Sequence, residues 1–198
     1  MEPFKNIYNK RFYKEFSVEL SSVYNEFNNK GFLAEIMNGH WESLELKQRM
    51  RHTTQILHAH MSGNYLQDLG ALVKLSEQLI GKVQGNDALA YIFIPDYLEV
   101  YGLKHKVESV KAMETITQLS SCEFGIRPFF KKYPDYLVST IIKWTNHENE
   151  HVRRLASEGS RPRLPWGMAL TDFKKDPSPI LPVLEALKND TSEYVRRS

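Results

Sequence analysis

The spacing of the apolar residues constrains the fold of this chain most. Between residues 12 and 187, apolar side chains recur three or four positions apart, which is the period of one face of an α-helix. Turn-forming residues interrupt the pattern at short intervals, for example at Gly31, Gly63 and Pro134. Only the short run 91–94 (YIFI) could instead form a strand. The pattern therefore predicts an all-α protein built of short helices.

A repeated motif indicates how these helices are arranged. Residues 149–155 (NEHVRRL) resemble residues 192–198 (SEYVRRS), and the two copies lie 43 residues apart. HEAT and armadillo repeats have a period of about 40–47 residues. We therefore expect one domain over 1–198, an α-solenoid of HEAT-like antiparallel helix pairs stacked with a right-handed turn. Equivalent positions of successive repeats line one surface, so the Arg-Arg pairs would make the concave face basic.

The composition excludes several classes of protein. An apolar fraction of 41% in 198 residues is enough to bury a core and excludes wholesale disorder. Cys122 is the only cysteine, which excludes an internal disulfide and favours a reducing cytoplasm. No signal peptide is visible, and no apolar run is long enough to span a membrane. The net charge of +2 is small, so any site for a polyanion must come from local clustering of arginine and lysine.

The densest chemistry lies in residues 147–167 (HENEHVRRLASEGSRPRLPWG). Arginine suits phosphate because its guanidinium group binds two oxygens at once. Glu158 is predicted near a helix C-terminus, where the helix dipole disfavours an anion, so it either pairs with an arginine or takes part in chemistry. Trp166 follows Pro165 and either packs in the core or offers a stacking surface to a base. The four arginines of the segment are Arg153, Arg154, Arg161 and Arg163.

A second acidic residue lies upstream in residues 120–128 (SSCEFGIRP). Taken alone, Glu123 is typical of an acid in the first turn of a helix, where it stabilises the exposed N–H groups. Arg127 follows four residues later and is a weaker candidate for a phosphate contact.

Residues 147–151 also match H-E-x-x-H, the signature of zinc hydrolases. That chemistry needs both histidines on one protected helix face, with the glutamate activating a zinc-bound water. Thr145 and Asn146 resemble a helix start, which would place His147 and His151 in an exposed first turn. A zinc hydrolase that uses His147 and His151 is therefore a secondary hypothesis.

Three segments resemble a known family: 123–129 (EFGIRPF), 152–167 (VRRLASEGSRPRLPWG) and 190–198 (DTSEYVRRS). In this order they resemble the AlkC branch of the HEAT-like DNA alkylation-repair glycosylases. The resemblance implies hydrolysis of the N-glycosidic bond of N3-alkylated bases, chiefly 3-methyladenine and 3-methylcytosine. It also implies that Glu123, Glu158 and Trp166 line the lesion site.

The residue types suit this chemistry. An N3-methylated purine is cationic and already a good leaving group, so carboxylates need only stabilise the sugar cation and position water. Trp166 would offer its π-face to the cationic base. No metal or organic cofactor is required, and no particular lysine stands out as a nucleophile, so we expect no strand cleavage. Phosphate contacts are expected from Arg127, Arg153 or Arg154, Arg161, Arg163 and Arg197.

The expected partner is double-stranded DNA with alkylated bases, bound by a cytoplasmic monomer that acts in base excision repair and makes no membrane contact. One arginine of each Arg-Arg pair is expected to be structural, because adjacent helix positions face different ways. The family pattern continues past Ser198 with another helix and acid, so we expect truncated C-terminal repeats, no immunoglobulin-like domain and a frayed end from Glu193. The alternative is a HEAT-type scaffold that binds DNA or protein without catalysis.

Overall fold

The computed structural model describes residues 3–83 and 85–198, and this part of the chain is helical. It contains no strand, only an isolated bridge between Ile80 and Val83, so the all-α prediction is confirmed. The run 91–94 is not a strand, because its last two residues begin a helix. The α-helices are α1 Lys10–Val23, α2 Asn29–Glu35, α3 Leu46–Ala59, α4 Tyr65–Leu79, α5 Asn86–Leu89, α6 Phe93–Tyr101, α7 Lys106–Leu119, α8 Arg127–Lys132, α9 Pro134–Trp144, α10 Glu150–Ser160, α11 Thr171–Lys175, α12 Leu181–Leu187 and α13 Glu193–Arg196.

Short 3-10 helices connect some of these elements, namely Phe4–Ile7, Trp41–Ser43, Gly102–Lys104 and Ser178–Ile180. None of the helices in the described ranges is long and apolar enough to cross a membrane. The chain divides into two compact units, one ending at Ser120 and the other beginning at Ser121. The single domain over 1–198 stays a prediction.

The first unit is built from α1 to α7. Helix α4 packs against α1 and α7, and α3 packs against α6. Apolar side chains such as Phe16, Leu72 and Phe93 are fully buried at these contacts. The buried carboxylate of Asp68 accepts hydrogen bonds from Tyr24, among other donors, which satisfies a charge that would otherwise be costly to bury.

The second unit is built from α8 to α13, with α10 at its centre. Helix α10 packs against α8, α9, α12 and α13. It buries Val152 and Leu155 on one face, while Leu137 of α9 and Val183 of α12 are fully buried in the same unit. This packing fixes the position of α10, which carries the Arg-Arg pair and Glu158.

The two copies of the motif, residues 149–155 and 192–198, also share a pattern of hydrogen bonds. Arg153 donates to the carbonyl oxygens of His147 and Glu148, six and five residues before it, at 2.9 and 2.8 Å. Arg196 donates to the carbonyl oxygens at the same two offsets, the first of them that of Asp190. The first arginine of each pair therefore closes the turn that precedes its own helix.

The same turn has a second shared bond. His147 Nδ1 accepts the N–H of Asn149 at 3.0 Å, and a carboxylate oxygen of Asp190 accepts the N–H of Ser192 at 2.8 Å. Asp190 also receives two bonds from Arg153, at 2.7 and 3.0 Å, and this contact lowers the pKa of the Asp190 carboxyl. The two copies thus share the hydrogen bonds of this turn, and Arg153 links them through Asp190.

Two predictions about helix ends are wrong. Helix α10 begins at Glu150, where the Asn149 side chain caps the N–H of residue 151, and not at 145–146. The chain end is not frayed, because residues 193–196 form α13 and Val195 is buried. Docking of α13 on α10 supplies the stability that so short a helix lacks on its own.

Two helical glycines give a matched test of this packing. A Cβ at Gly159 would lie 2.8 Å from Cγ2 of Ile126, whereas a Cβ at Gly70 would meet nothing within 4 Å. We expect Gly159→Ala to lower the free energy of unfolding, because overpacking of about 1–3 kcal/mol exceeds the gain of about 1 kcal/mol in helix propensity. Gly70→Ala should raise it. Urea unfolding followed by circular dichroism measures both, and a stabilised Gly159→Ala variant would contradict the packing.

Candidate active site

The loop after α10 depends on one buried arginine. The guanidinium group of Arg127 donates to the carbonyl oxygen of Gly159 at 3.1 Å, to that of Pro162 at 3.5 Å and to that of Met168. The N–H of Leu170 also bonds to the carbonyl oxygen of Pro162 at 3.0 Å. These bonds close residues 161–170 into a compact loop that carries the arginines and tryptophan singled out by the sequence.

Arg127 is therefore not available for a phosphate contact, and that prediction is wrong. Arg127 is fully buried, and this burial lowers the pKa of its guanidinium group. The physical reason is that a loop with buried carbonyl oxygens needs donors, and arginine supplies several from one side chain. The sequence contained a signal for burial, because Arg127 stands among Ile126, Pro128 and Phe129.

The two predicted carboxylates meet at one guanidinium group. Arg154 contacts Glu123 at 3.1 Å and Glu158 at 3.7 Å. Ser121 also donates to Glu123 at 3.0 Å, and Arg161 donates to both oxygens of Glu158 at 3.0 and 3.2 Å. The structure therefore brings Glu123 and Glu158 together although they come from different segments of the chain.

Glu158 lies in the last turn of α10 with a side chain that is only 8% exposed. An anion at that position opposes the helix dipole, and burial adds a desolvation cost. Arg154 and Arg161 offset both effects, so Glu158 is ion-paired in this structure. Pairing with arginine also keeps a carboxylate in place at the edge of a basic loop, where it can serve chemistry.

Trp166 lies at the tip of the loop in a strained turn. The N–H of Gly167 bonds to the carbonyl oxygen of Leu164 at 3.0 Å, so Pro165 and Trp166 are the two central residues of a β-turn. Trp166 has a φ of 62°, and it is the only non-glycine residue with positive φ in the described ranges. Trp166 is 69% exposed, which excludes the alternative that it packs in the core.

The turn lies close to the segment that carries Glu123. A Cβ at Gly167 would lie 3.3 Å from the ring of Phe124, the neighbour of Glu123. In the sequence, Trp166 immediately precedes Gly167, and Glu123 immediately precedes Phe124. The backbone of the Trp166 turn thus lies close to the segment that carries Glu123, and all three predicted site residues belong to the second unit.

The predicted phosphate-binding arginines fall into two groups. Arg153 is bound to Asp190 and to carbonyl oxygens, with only 14% of its side chain exposed, which agrees with the expectation that one arginine of each Arg-Arg pair is structural. Arg197 is 78% exposed and pairs with Glu193. Arg163 is exposed, and no ion pair of Arg163 is found with any other described residue. Arg161 is half-exposed and bound to Glu158.

The zinc hypothesis meets a geometric obstacle. His147 precedes the capping residue of α10 and accepts a backbone N–H through Nδ1, whereas His151 lies in the first turn of α10. The two histidines therefore do not share a helix face as the motif requires. Within the described ranges there is no group of three His, Cys, Asp or Glu side chains that could hold a metal ion.

One residue of the site was missed in the sequence. The ring of Tyr194 lies at the guanidinium group of Arg154, with 4.8 Å between the ring centroid and Cζ of Arg154. The same ring packs edge-to-face with the His151 ring, at 5.3 Å between centroids. Nothing in a single exposed-looking tyrosine of the EYVRR motif predicts this contact, because it depends on where α13 docks.

Fold and site together define an all-α helical-repeat protein whose second unit carries two arginine-paired carboxylates and an exposed tryptophan. No family model matches the chain. Protein YhaZ of Bacillus subtilis, which is uncharacterized, is 42% identical over 198 residues, covering the whole of this chain and 54% of YhaZ. The alkylpurine DNA glycosylase AlkC of Pseudomonas fluorescens, solved bound to DNA containing an abasic site analog, is 35% identical with a TM-score of 0.90.

The match to AlkC covers 99% of this chain and 53% of AlkC, so the chain spans about half the length of the proteins it matches. The predicted resemblance to the AlkC branch of the HEAT-like DNA alkylation-repair glycosylases is confirmed. The match also agrees with a helical-repeat fold.

The strain at Trp166 can be measured with paired substitutions. Both Trp166→Ala and Trp166→Gly remove the ring, but only glycine adopts positive φ without strain. We expect the glycine variant to be more stable than the alanine variant by about 1 kcal/mol. At the nearby exposed Met168, where φ is not positive, the order should reverse. Urea unfolding measures the stability of the alanine and glycine variants at positions 166 and 168. If the glycine variant were the more stable one at both positions, or at neither, a strained turn at Trp166 would be contradicted.

Proposed function

We propose that this chain carries the active site of a DNA glycosylase, which hydrolyses the N-glycosidic bond of N3-alkylated bases such as 3-methyladenine and 3-methylcytosine. The observation that supports this best is the pair of carboxylates, Glu123 and Glu158, bound to Arg154 in the unit that also carries the exposed Trp166. The likeness of the whole chain to AlkC, an alkylpurine DNA glycosylase, gives this arrangement its proposed chemistry.

Each residue has a part in the proposed reaction. The alkylated base leaves as a neutral molecule, because the alkylated ring already carries a positive charge. The carboxylates of Glu123 and Glu158 stabilise the positive charge that develops on the deoxyribose, and one of them orients the attacking water. Trp166 offers its π-face to the cationic base or to the sugar, and its exposure allows that contact. The reaction uses no cofactor in this proposal.

The proposed partner is double-stranded DNA, and its phosphates would be bound by Arg161, Arg163 and Arg197. The second unit has 13 lysines and arginines against 10 acidic residues, so the excess of positive charge in the chain lies there. Arg163 and Arg197 are exposed, which suits contacts to a polyanion. We also propose that the protein has HEAT-like repeats, that it is a monomer, and that it acts in base excision repair in the cytoplasm.

Charge-neutral replacement of the acids tests the chemistry. We expect Glu123→Gln and Glu158→Gln to lower the single-turnover rate of base release from methylated duplex DNA by about 100-fold or more. Binding to a duplex with an abasic-site analogue should be retained, because removal of a negative charge does not weaken attraction to phosphate. Chromatography of the released bases measures the rate, and fluorescence anisotropy measures the binding.

Glu185→Gln is the matched control, since it removes the same charge from an exposed position on α12. A rate equal to that of the unmodified chain is expected for this variant. If the chain binds duplex DNA but releases no alkylated base, and the two site variants bind as well or better, a non-catalytic scaffold is the better description.

Salt dependence tests the phosphate contacts. Each contact to a phosphate of duplex DNA contributes a log–log slope of about −0.9 between affinity and salt concentration. We expect Arg163→Gln to make the slope shallower by about one contact, whereas Lys188→Gln, an exposed cation paired with Glu185, should leave it unchanged. Anisotropy titrations at several salt concentrations measure the slopes. Equal slopes for the unmodified chain and Arg163→Gln would exclude Arg163 from the DNA contact.

A further inference from the structure

Arg154 is held on several sides at once. Glu123 and Glu158 contact its nitrogen atoms at 3.1 and 3.7 Å, and Ser121 Oγ lies 3.4 Å from one of them. The aromatic ring of Tyr194 covers the guanidinium plane at 4.8 Å, and only 18% of the Arg154 side chain is exposed. An arginine with this surrounding has little freedom to reach outwards to a phosphate.

The ring of Tyr194 is itself fixed by its surroundings. The next residue, Val195, is buried against α10, and the hydroxyl groups of Ser157 and Ser198 are hydrogen-bonded to each other. The ring also packs edge-to-face with the ring of His151. Tyr194 is 41% exposed, and the partial burial of its ring raises the pKa of the hydroxyl group, so this side chain is neutral at physiological pH.

The ring matters because it contacts the guanidinium group without adding a charge. Two carboxylates close to each other repel, and Arg154 compensates that repulsion only while its guanidinium group stays between them. Arginine has many rotamers, so holding it in one of them has an entropic cost. An aromatic face at the guanidinium group favours one orientation through cation–π attraction, and the hydroxyl group of the same ring also interacts with Arg154.

We propose that Tyr194 is a positioning residue, which holds Arg154 between Glu123 and Glu158 and so keeps both carboxylates in one site. Arg154 then acts as the link between the carboxylates, and its predicted phosphate contact is replaced by this role. Helix α13 follows the rest of the site in the chain, and the Tyr194 ring brings it into contact with Arg154. The activity readout below rests on the proposed function, whereas the spectroscopic readout does not.

The geometry is tested by nuclear magnetic resonance on the unmodified chain. An N–H group near an aromatic face resonates upfield, so the side-chain Nε–H signal of Arg154 should be shifted upfield and should remain so in Tyr194→Phe. In Tyr194→Leu the shift should be lost, and the carboxyl carbon signals of Glu123 and Glu158 should move as well. Arg154→Lys identifies the arginine signal by its disappearance.

The functional consequence is tested by kinetics. We expect Tyr194→Leu to lower the single-turnover rate of base release by about tenfold, which corresponds to a lost cation–π contact. Its affinity for duplex DNA with an abasic-site analogue, and the salt dependence of that affinity, should be unchanged. Tyr194→Phe keeps the ring and should restore most of the rate. Tyr133→Leu is the matched control, because Tyr133 lies under Lys132 in a similar contact at 5.3 Å.

Several results would overturn the inference. One is an unshifted Arg154 signal in the unmodified chain; another is a normal rate in Tyr194→Leu. Weaker DNA binding at an unchanged rate would make Tyr194 a DNA contact instead, and equal damage from Tyr194→Phe would assign the role to the hydroxyl group. If Tyr194→Leu does not fold, the signal of the unmodified chain and the rate of Tyr194→Phe still decide. If neither the unmodified chain nor any variant releases bases, the proposed function fails. The position of Arg154 is then tested by the spectra alone.

Discussion

The buried guanidinium group of Arg127 is the interaction on which the site depends. It satisfies carbonyl oxygens of Gly159, Pro162 and Met168, which lie at both ends of the loop after α10. A buried carbonyl oxygen without a donor costs about 1–3 kcal/mol, so removal of this one side chain would release the loop and with it Trp166. The exposed tryptophan is therefore held by an interaction that lies inside the protein.

Arginine has two roles in the second unit, and only the surroundings distinguish them. Arg153 and Arg196 close turns by binding carbonyl oxygens, and Arg127 closes a loop in the same way. Arg163 and Arg197 are exposed. The many donors of one guanidinium group allow both uses, which explains why a count of arginines overstates the positive charge that is available at the surface.

The helical fold and the repeat could be predicted because both depend on local periodicity, and the 43-residue echo reappears as equivalent hydrogen bonds around Arg153 and Arg196. The resemblance brought Glu123 and Glu158 into one predicted site, and the structure joins them through Arg154. The burial of Arg127 and the position of Tyr194 could not be predicted in the same way. They depend on where a loop and a short helix dock, which is set by contacts between distant residues.

The closed turns before α10 and α13 have a consequence for how the chain folds. The bonds from Arg153 and Arg196 reach back only five or six residues, so the entropy lost in forming them is small. Contacts of such low sequence separation form early in folding, before distant segments meet. The bond between Arg153 and Asp190 spans 37 residues, so we expect it to form after the two turns that it joins. On this expectation, the unit assembles by docking of turns that are already formed.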